Sequence, residues 1–303
     1  MDTHVPVLLN EVIETLSPKD GGIYIDATFG GGGYTRALLE SKDCKVIAID
    51  RDPDAALRAC SFAEEFKDRF EFITGVFSEL DTLLPLNQTY DGIVFDFGVS
   101  SFQLDQAERG FSFRFEGPLD MRMSKDQGGL TAAEILNTYP ENQLSEIIYT
   151  YGEEKKARVI AKTIVEQRKI KPLETTQEFA KLVRSIVRRH DGIDPATLTF
   201  QALRIFVNNE LIEIDTSLKK TLNLLSVGGK VITVTFHSLE DRLVKNWMRS
   251  NAFSCVRPGC ALKPMFSKPI SPSLGEIKTN PRSRSAKMRA ATLVPLTEKG
   301  RSL

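Results

Sequence analysis

Three short apolar runs in this chain each end in an aspartate. Ile23-Tyr24-Ile25 stops at Asp26, Lys45 to Ile49 stops at Asp50, and Gly92 to Phe95 stops at Asp96. Phe70 to Thr74 forms a further run between the second and third of these. Strand-like runs separated by roughly 15–20 residues of helix or turn signal define a parallel sheet with crossover helices. The pattern then breaks off. From about Phe113 to Asp194 the residues read as helix: Tyr151 to Gln167 and Thr176 to Arg189 space apolar side chains among charges, with no strong strand. A long helix is expected from about Pro195 to Leu225, with Ala202, Ile205, Phe206, Asn209 and Ile212 on one stripe. Gly228-Gly229 should end it and open a fifth strand, Val231 to Phe236. The expected architecture is a doubly wound α/β domain built from residues 1–112 and 197–303, with an inserted all-helical domain over 113–196.

Where the first strand meets its helix, the chain reads Asp26-Ala27-Thr28-Phe29-Gly30-Gly31-Gly32-Gly33-Tyr34. Glycines there let a backbone approach a ligand closely, at the switch point where open sheets bind cofactors. Asp50 ends the next strand and is placed to accept both hydroxyls of a ribose. Two ligand classes fit. A dinucleotide loop wants G-x-G-x-x-G, but counted from Gly30 the last position is Thr35, and from Gly31 it is Arg36. S-adenosylmethionine has no phosphate; it needs carboxylates for its ammonium and sulfonium. The spacing Asp26-x-x-Phe29-Gly30-x-Gly32 resembles the first motif of amino-group methyltransferases, D-P-F-x-G-x-G. A glycine-rich turn with no ligand is the bland alternative.

The fourth strand runs out into Asp96-Phe97-Gly98-Val99-Ser100-Ser101, where amino-methyltransferases carry a short acidic or amide motif. The chemistry asks for such a residue. An exocyclic base amine is a poor nucleophile, because its lone pair is delocalised into the ring. Acceptors on its N–H groups, held in line with the methyl group, restore pyramidal character and take up developing charge. Methylation at carbon 5 of a pyrimidine needs a cysteine nucleophile in a Pro-Cys or Thr-Cys pair. Here Cys44, Cys60, Cys255 and Cys260 follow Asp43, Ala59, Ser254 and Gly259, so that route is closed. Asp96 could also be a strand-end carboxylate that simply caps the next turn.

Charge sharpens the choice. The 40 basic and 40 acidic residues cancel, which argues against a nucleic-acid partner for the chain taken whole. By segment they do not cancel. Residues 1–110 hold 9 basic and 20 acidic side chains, a net of −11. Thr150 to Arg189 nets +6, and the last 41 residues, from Lys263, net +7. An acidic front suits a cationic ligand, and two basic stretches suit RNA, although a solvated helix face or tail reads the same way. No apolar run approaches a membrane span, and the N-terminus lacks a signal-peptide pattern. Cys255 and Cys260 have no second metal-type pair, so neither a metal site nor a disulfide framework is expected, and the chain reads as cytoplasmic.

The ordered set of motifs resembles one family closely, the ribosomal RNA small-subunit methyltransferase H family, also called MraW. Its marks here are His4-Val5-Pro6-Val7-Leu8-Leu9, the glycine loop, Ala48-Ile49-Asp50-Arg51-Asp52-Pro53, Asp96 through Ser101, Arg109-Gly110-Phe111-Ser112-Phe113 and Gly117-Pro118-Leu119-Asp120-Met121-Arg122-Met123. They continue in Tyr151-Gly152-Glu153-Glu154, Thr199 through Ile205, Phe236 through Arg242 and Asn280 through Ser285. The resemblance implies a Rossmann-like class I methyltransferase sheet and N4-methylation of a cytidine in the decoding centre of 16S rRNA. The methyl donor it implies is S-adenosylmethionine. It implies cofactor contacts at Gly32, Gly33, Tyr34, Asp50, Phe77, Asp96 and Gln103. The roles that follow are glycine backbone to the methionine end, Asp50 to ribose, Phe77 against adenine and Asp96 near the methyl.

Asp96, Ser100, His237 and Ser238 are the candidate catalytic residues. His237 closes the fifth strand and could orient the cytosine or shuttle a proton with Ser238; the competing reading is a helix cap. His4 has similar standing, and His190 reads as a surface residue. The family pattern H-P-A-T-R-T-F-Q is here Asp194-Pro195-Ala196-Thr197-Leu198-Thr199, which loses a histidine and a cation. Arg282, Arg284, Lys287 and Arg289, on a Ser/Pro/Asn-rich tail, are expected to grip RNA phosphates around an extruded base, together with the helical insertion. The partner implied is 16S rRNA, with no DNA and no membrane. A nicotinamide dehydrogenase and a non-catalytic RNA-binding protein are the competing classes.

Overall fold

The computed structural model describes residues 6–85, 87–125, 128–188, 192–252 and 257–296. The chain forms two compact units, residues 1–98 with 211–303 and residues 99–210. In the first unit, helix α1 (Leu9–Leu16) precedes strand β1 (Ile23–Asp26). Then come α2 (Gly33–Ser41), β2 (Lys45–Asp50), α3 (Pro53–Phe66), β3 (Phe70–Thr74), α4 (Leu80–Leu83) and β4 (Tyr90–Asp96). The helical unit holds α5 (Ser101–Asp105), α6 (Ala132–Thr138), α7 (Glu141–Gly152), α8 (Ala157–Ile170), α9 (Thr176–Ile186) and α10 (Thr197–Val207). After α11 (Glu210–Leu224) the sheet resumes with β5 (Leu225–Thr235), α12 (Ser238–Ser250), β6 (Cys260–Pro264), α13 (Leu274–Thr279) and β7 (Lys287–Pro295).

The seven strands lie in the order β3-β2-β1-β4-β5-β7-β6. Neighbours from β3 to β5 pair parallel, and β7 pairs antiparallel with both β5 and β6. Side chains alternate between two buried layers, as a strand's period of two requires. Tyr24, Val46, Val94, Ile232 and Met288 join one core with α1, α2 and α3, whereas Ile25, Ile47, Ile93, Val231 and Leu293 join the other with α11 and α12. Because β1, β2, β4 and β5 are parallel, their carboxyl ends share one edge. That edge carries Asp26, Asp50, Asp96 and His237.

Three features differ from the sequence expectation. The helical unit is wider than 113–196 at both ends. Its core draws Phe111, Phe179, Phe200 and Leu203 together with α6 to α9, so residues on either side of that span fold with it. The expected long helix is two helices: the chain breaks at Asn208–Asn209, where Asn209 takes φ +52° and the Asn208 amide donates to the carbonyls of Met121 and Arg204. The tail, whose Ser/Pro/Asn-rich composition suits backbone contacts with RNA better than core packing, holds β6, α13 and β7, with Met288, Ala290, Ala291 and Leu293 fully or almost fully buried in the sheet. Among the described residues no helix is long and apolar enough to cross a membrane. His4, His190 and Cys255 lie outside the described residues.

Candidate functional site

The carboxyl edge gathers acids that are unusually costly to ionise. Asp26 has no exposed surface; its carboxylate accepts from the Thr35 hydroxyl at 2.7 Å and the Thr28 amide at 3.3 Å. Burial pushes its carboxyl from 3.8 to about 6. Asp96, at the end of the neighbouring strand β4, is half-buried as a residue, yet its Oδ1 is shut off from solvent and has no partner. Burial holds that carboxyl well above the ordinary carboxylate range, and the nearby Asp26 and Glu240 carboxylates add to the effect. Asp50 accepts from the Gly30 amide at 2.7 Å and the Asp52 amide at 2.9 Å; burial still raises its carboxyl. Asp50 therefore pins the glycine loop while keeping lone pairs for a further donor.

The glycines answer a constraint inside the protein. A Cβ on Gly32, at φ +77°, would stand 2.4 Å from the Phe62 ring and 2.7 Å from the Phe29 ring. A Cβ on Gly33 would stand 2.0 Å from Pro6. Tyr34 is core as well, 3% exposed, with its hydroxyl bonded to the Val7 carbonyl. What Gly33 and Tyr34 can offer a ligand is backbone, since the first N–H groups of α2 have no acceptor within the helix, whereas the Gly32 N–H is given to the Phe29 carbonyl at 2.6 Å. Phe77, just beyond β3, is half-buried, with its ring 5.7 Å from Phe97 and 6.1 Å from Phe95, leaving a partly exposed aromatic face at the same edge.

At the end of β5, His237 occupies the N-cap of α12, and its Nε2 lies 2.9 Å from Oε1 of the buried Glu240. The other oxygen of Glu240 accepts from the Phe236 amide at 2.7 Å and the His237 amide at 3.2 Å. The cap and the site are thus one construction. Ser238 is exposed beside it. Ser100 and Gln103 belong to the helical unit, where they form a reciprocal capping box on α5: the Gln103 amide N–H donates to the Ser100 hydroxyl at 3.2 Å, and the Ser100 N–H to Oε1 of Gln103 at 3.1 Å. The first unit therefore collects Asp26, Asp50, Phe77, Asp96 and His237 on one edge. Sequence reading passed over Thr28, Thr35 and Glu240. For Glu240 the signal was there, a glutamate three residues after an N-cap; the two threonines carry none.

Two of the expected RNA contacts are engaged within the protein. Arg289 sits in β7 and pairs with Asp241 of α12, Nε to Oδ1 at 2.7 Å and a second N–H to Oδ2 at 3.2 Å; Lys287 lies 3.5 Å from the same carboxylate. Arg284 alone of the four tail cations is mostly solvent-exposed. Asp194, one of the departures from the family pattern, forks with Arg184 and accepts the Ala196 amide at 2.9 Å, so it caps the turn ahead of α10.

A doubly wound sheet closed by an antiparallel strand, with carboxylates and a glycine loop at its switch point, defines a Rossmann-like enzyme built for a cationic, nucleoside-bearing ligand. A profile described as the MraW methylase family matches residues 1–294, and the chain belongs to that family. It is 49% identical over 304 residues to the ribosomal RNA small subunit methyltransferase H of Paramagnetospirillum magneticum, covering 95% of each chain. It is 47% identical over 306 residues to the protein of that name from Rhodospirillum rubrum, covering 95% of this chain and 93% of that one. The Rickettsia massiliae protein of the same name is 46% identical over 307 residues, covering 97% and 99%. The chain is a methyltransferase, and S-adenosylmethionine is its methyl donor. The donor set fits that group: a buried carboxylate oxygen with no protein partner, and two further acids at the ends of adjacent strands, suit a ligand that carries positive charge.

Proposed function

We propose that the protein methylates N4 of a cytidine in the decoding centre of 16S rRNA, by direct transfer with no covalent enzyme intermediate. The observation that carries this is the buried, unpartnered Oδ1 of Asp96 at the end of β4. Relatives named ribosomal RNA small subunit methyltransferase H support the substrate class. When bound, S-adenosylmethionine supplies an electrophilic methyl group on a sulfonium. Asp96 accepts an N–H of the exocyclic amine and holds its lone pair towards that methyl. As the N–C bond forms, the methyl–sulfur bond breaks, the electron pair stays on sulfur and neutral S-adenosylhomocysteine leaves; the amine nitrogen becomes acidic, and Asp96 as the carboxylate, a stronger base for its burial, takes the released proton. Asp50 would hold the ribose, Phe77 would lie against the adenine, and the backbone N–H groups at Gly33 and Tyr34 would meet the methionine carboxylate. The family resemblance adds Gln103 to the cofactor contacts and Ser100 to the catalytic residues, and His237 and Ser238 would orient the cytosine.

The target base must be presented unpaired, because a strand-edge site cannot reach into a duplex. The helical unit offers a surface for the flanking RNA. An open cavity of about 910 Å³ is lined by exposed Tyr149, which can stack a base, and by Lys155 and Arg158, which can meet phosphates on the side away from Glu141 and Glu146 of the same lining. The test is labelled methyl transfer to small ribosomal subunits lacking the modification, with the product nucleoside identified. N4-methylcytidine is the expected product; another nucleoside overturns the reading. Asp96→Asn should slow transfer by about 10²–10³-fold, and a rate close to wild type would remove Asp96 from the reaction. Titration with S-adenosylmethionine and with NAD separates this reading from a dehydrogenase.

A further inference from the structure

We propose that Thr28 is a positioning residue for the reaction, setting the reacting carboxylate of Asp96 through a single hydroxyl. The proposal rests on the reading of Asp96 given above. Its evidence is a gap in the sheet. Strands β1 and β4 pair from Tyr24↔Gly92 to Asp26↔Val94, and the ladder's last backbone bond runs from the Ala27 amide to the Val94 carbonyl at 2.9 Å. In a parallel pair, N–H groups facing a given neighbour recur at every second residue. After Val94, the next β4 amide on that side is Asp96. A continuing β1 would meet it with a carbonyl, but β1 has already turned away: the Phe29 amide bonds to the Ile49 carbonyl of β2 at 3.0 Å. The Thr28 side chain fills the vacancy. Its Oγ1 accepts the Asp96 N–H at 2.6 Å.

This bond sits where the switch-point crevice opens, and it fixes one side of the Asp96 peptide. The other side is held by β5, through the Phe97 amide to the Val234 carbonyl at 2.9 Å. Thr28 is itself anchored, since its N–H donates to Asp26 and Asp26 accepts the Thr35 hydroxyl. Thr35, Asp26, Thr28 and Asp96 thus form one continuous chain of hydrogen bonds from the first turn of α2 to the end of β4. Any shift in the glycine loop is passed to the carboxylate that receives the amine. A valine has the shape of threonine without the acceptor; a serine has the acceptor without the methyl.

Thr28→Val, Thr28→Ser and Asp96→Asn should be compared with wild type for methyl transfer to unmodified small subunits. Alongside go calorimetric S-adenosylmethionine binding and amide hydrogen exchange at Asp96. Thr28→Val is expected to lose kcat by roughly 10- to 100-fold, the scale of an ångström-sized misplacement, with little change in cofactor affinity and with faster exchange at the Asp96 amide. Thr28→Ser should recover most of the lost kcat and the slow exchange. Should Thr28→Val not fold, Thr28→Ala carries the same comparison with a side chain too small to clash. The assignment is overturned if the variant lacking the acceptor keeps the wild-type kcat, if serine is as slow as valine, or if exchange at Asp96 is unmoved. Equal rates for wild type and Asp96→Asn would overturn the reading of Asp96 and this inference together. A slow Asp96→Asn beside a wild-type Thr28→Val would overturn this inference alone.

Discussion

Asp26 carries a proton more tightly in the folded chain than it would unfolded. Its carboxyl is pushed from 3.8 to about 6, chiefly by burial, and the gap corresponds to roughly 3 kcal/mol. The sign follows from linkage. A raised carboxyl contributes stability that is complete below about pH 4 and is lost as pH rises through about 6. Because Asp241 and Asp120 are shifted the other way, the clean measurement is a difference. In urea unfolding of the ligand-free protein, Asp26→Asn should gain on wild type by about 3 kcal/mol between pH 4 and pH 7. The asparagine keeps an acceptor for Thr28, and following the difference with pH removes the constant cost of its amide beside the Thr35 N–H. A bound cation offsets the same penalty, so wild-type affinity for S-adenosylmethionine should strengthen over that window; a flat calorimetric profile would contradict it. At this scale the aspartates were legible because each ends an apolar run. The reason for the glycines was not, since Gly32 is forced by Phe62, which comes close only when α3 packs. Thr28 was invisible too: a hydroxyl that replaces a ladder carbonyl has no local pattern.

Among the elements, β1 to β4 were legible as apolar runs, whereas β5 begins at Leu225 and carries inside it the Gly228-Gly229 pair read as the end of a helix. β7 was not legible, because Lys287 and Arg289 interrupt it and its apolar residues are mostly small. Arg289 resembles a phosphate ligand in sequence, but its guanidinium is largely buried against Asp241. Burial alone would raise the Asp241 carboxyl, and the Arg289 guanidinium with Lys287 holds it below its ordinary value instead. Arg289→Ala should therefore destabilise the protein by about 2–4 kcal/mol, since a mostly buried carboxylate loses its forked partner. It should leave the salt dependence of RNA binding as it is. Urea midpoints with salt-dependent RNA titrations check both halves, and a flattened salt slope at wild-type stability would restore the tail arginine to the RNA. The break between α10 and α11 was missed for a related reason: the apolar stripe runs through Asn209 without interruption, and only the tertiary bonds of Asn208 show where the helix stops.

At the level of the whole molecule, zero net charge is a sum over parts with different tasks. The acidic residues concentrate in the segment that supplies β1 to β4, while the basic stretch from Thr150 to Arg189 lies in the helical unit. Reversing Lys155 and Arg158 together to glutamate should weaken RNA binding and flatten its salt slope by between about one and two, with cofactor affinity unchanged. Salt-dependent binding isotherms decide this, and an unchanged slope would move the RNA away from the cavity they line. The division into two units has one more consequence, for synthesis. β4 and β5 are neighbours in the sheet, yet the entire helical unit is translated between them. Until β5 emerges from the ribosome, β4 is an uncovered strand edge running through Ile93, Val94 and Phe95, the kind of edge on which nascent chains aggregate. A ribosome stalled after β4 has cleared the exit tunnel and before β5 is made therefore exposes a sticky half-sheet. Early folding of the helical unit supplies no strand for that edge, so the edge stays unpaired until the central strand arrives.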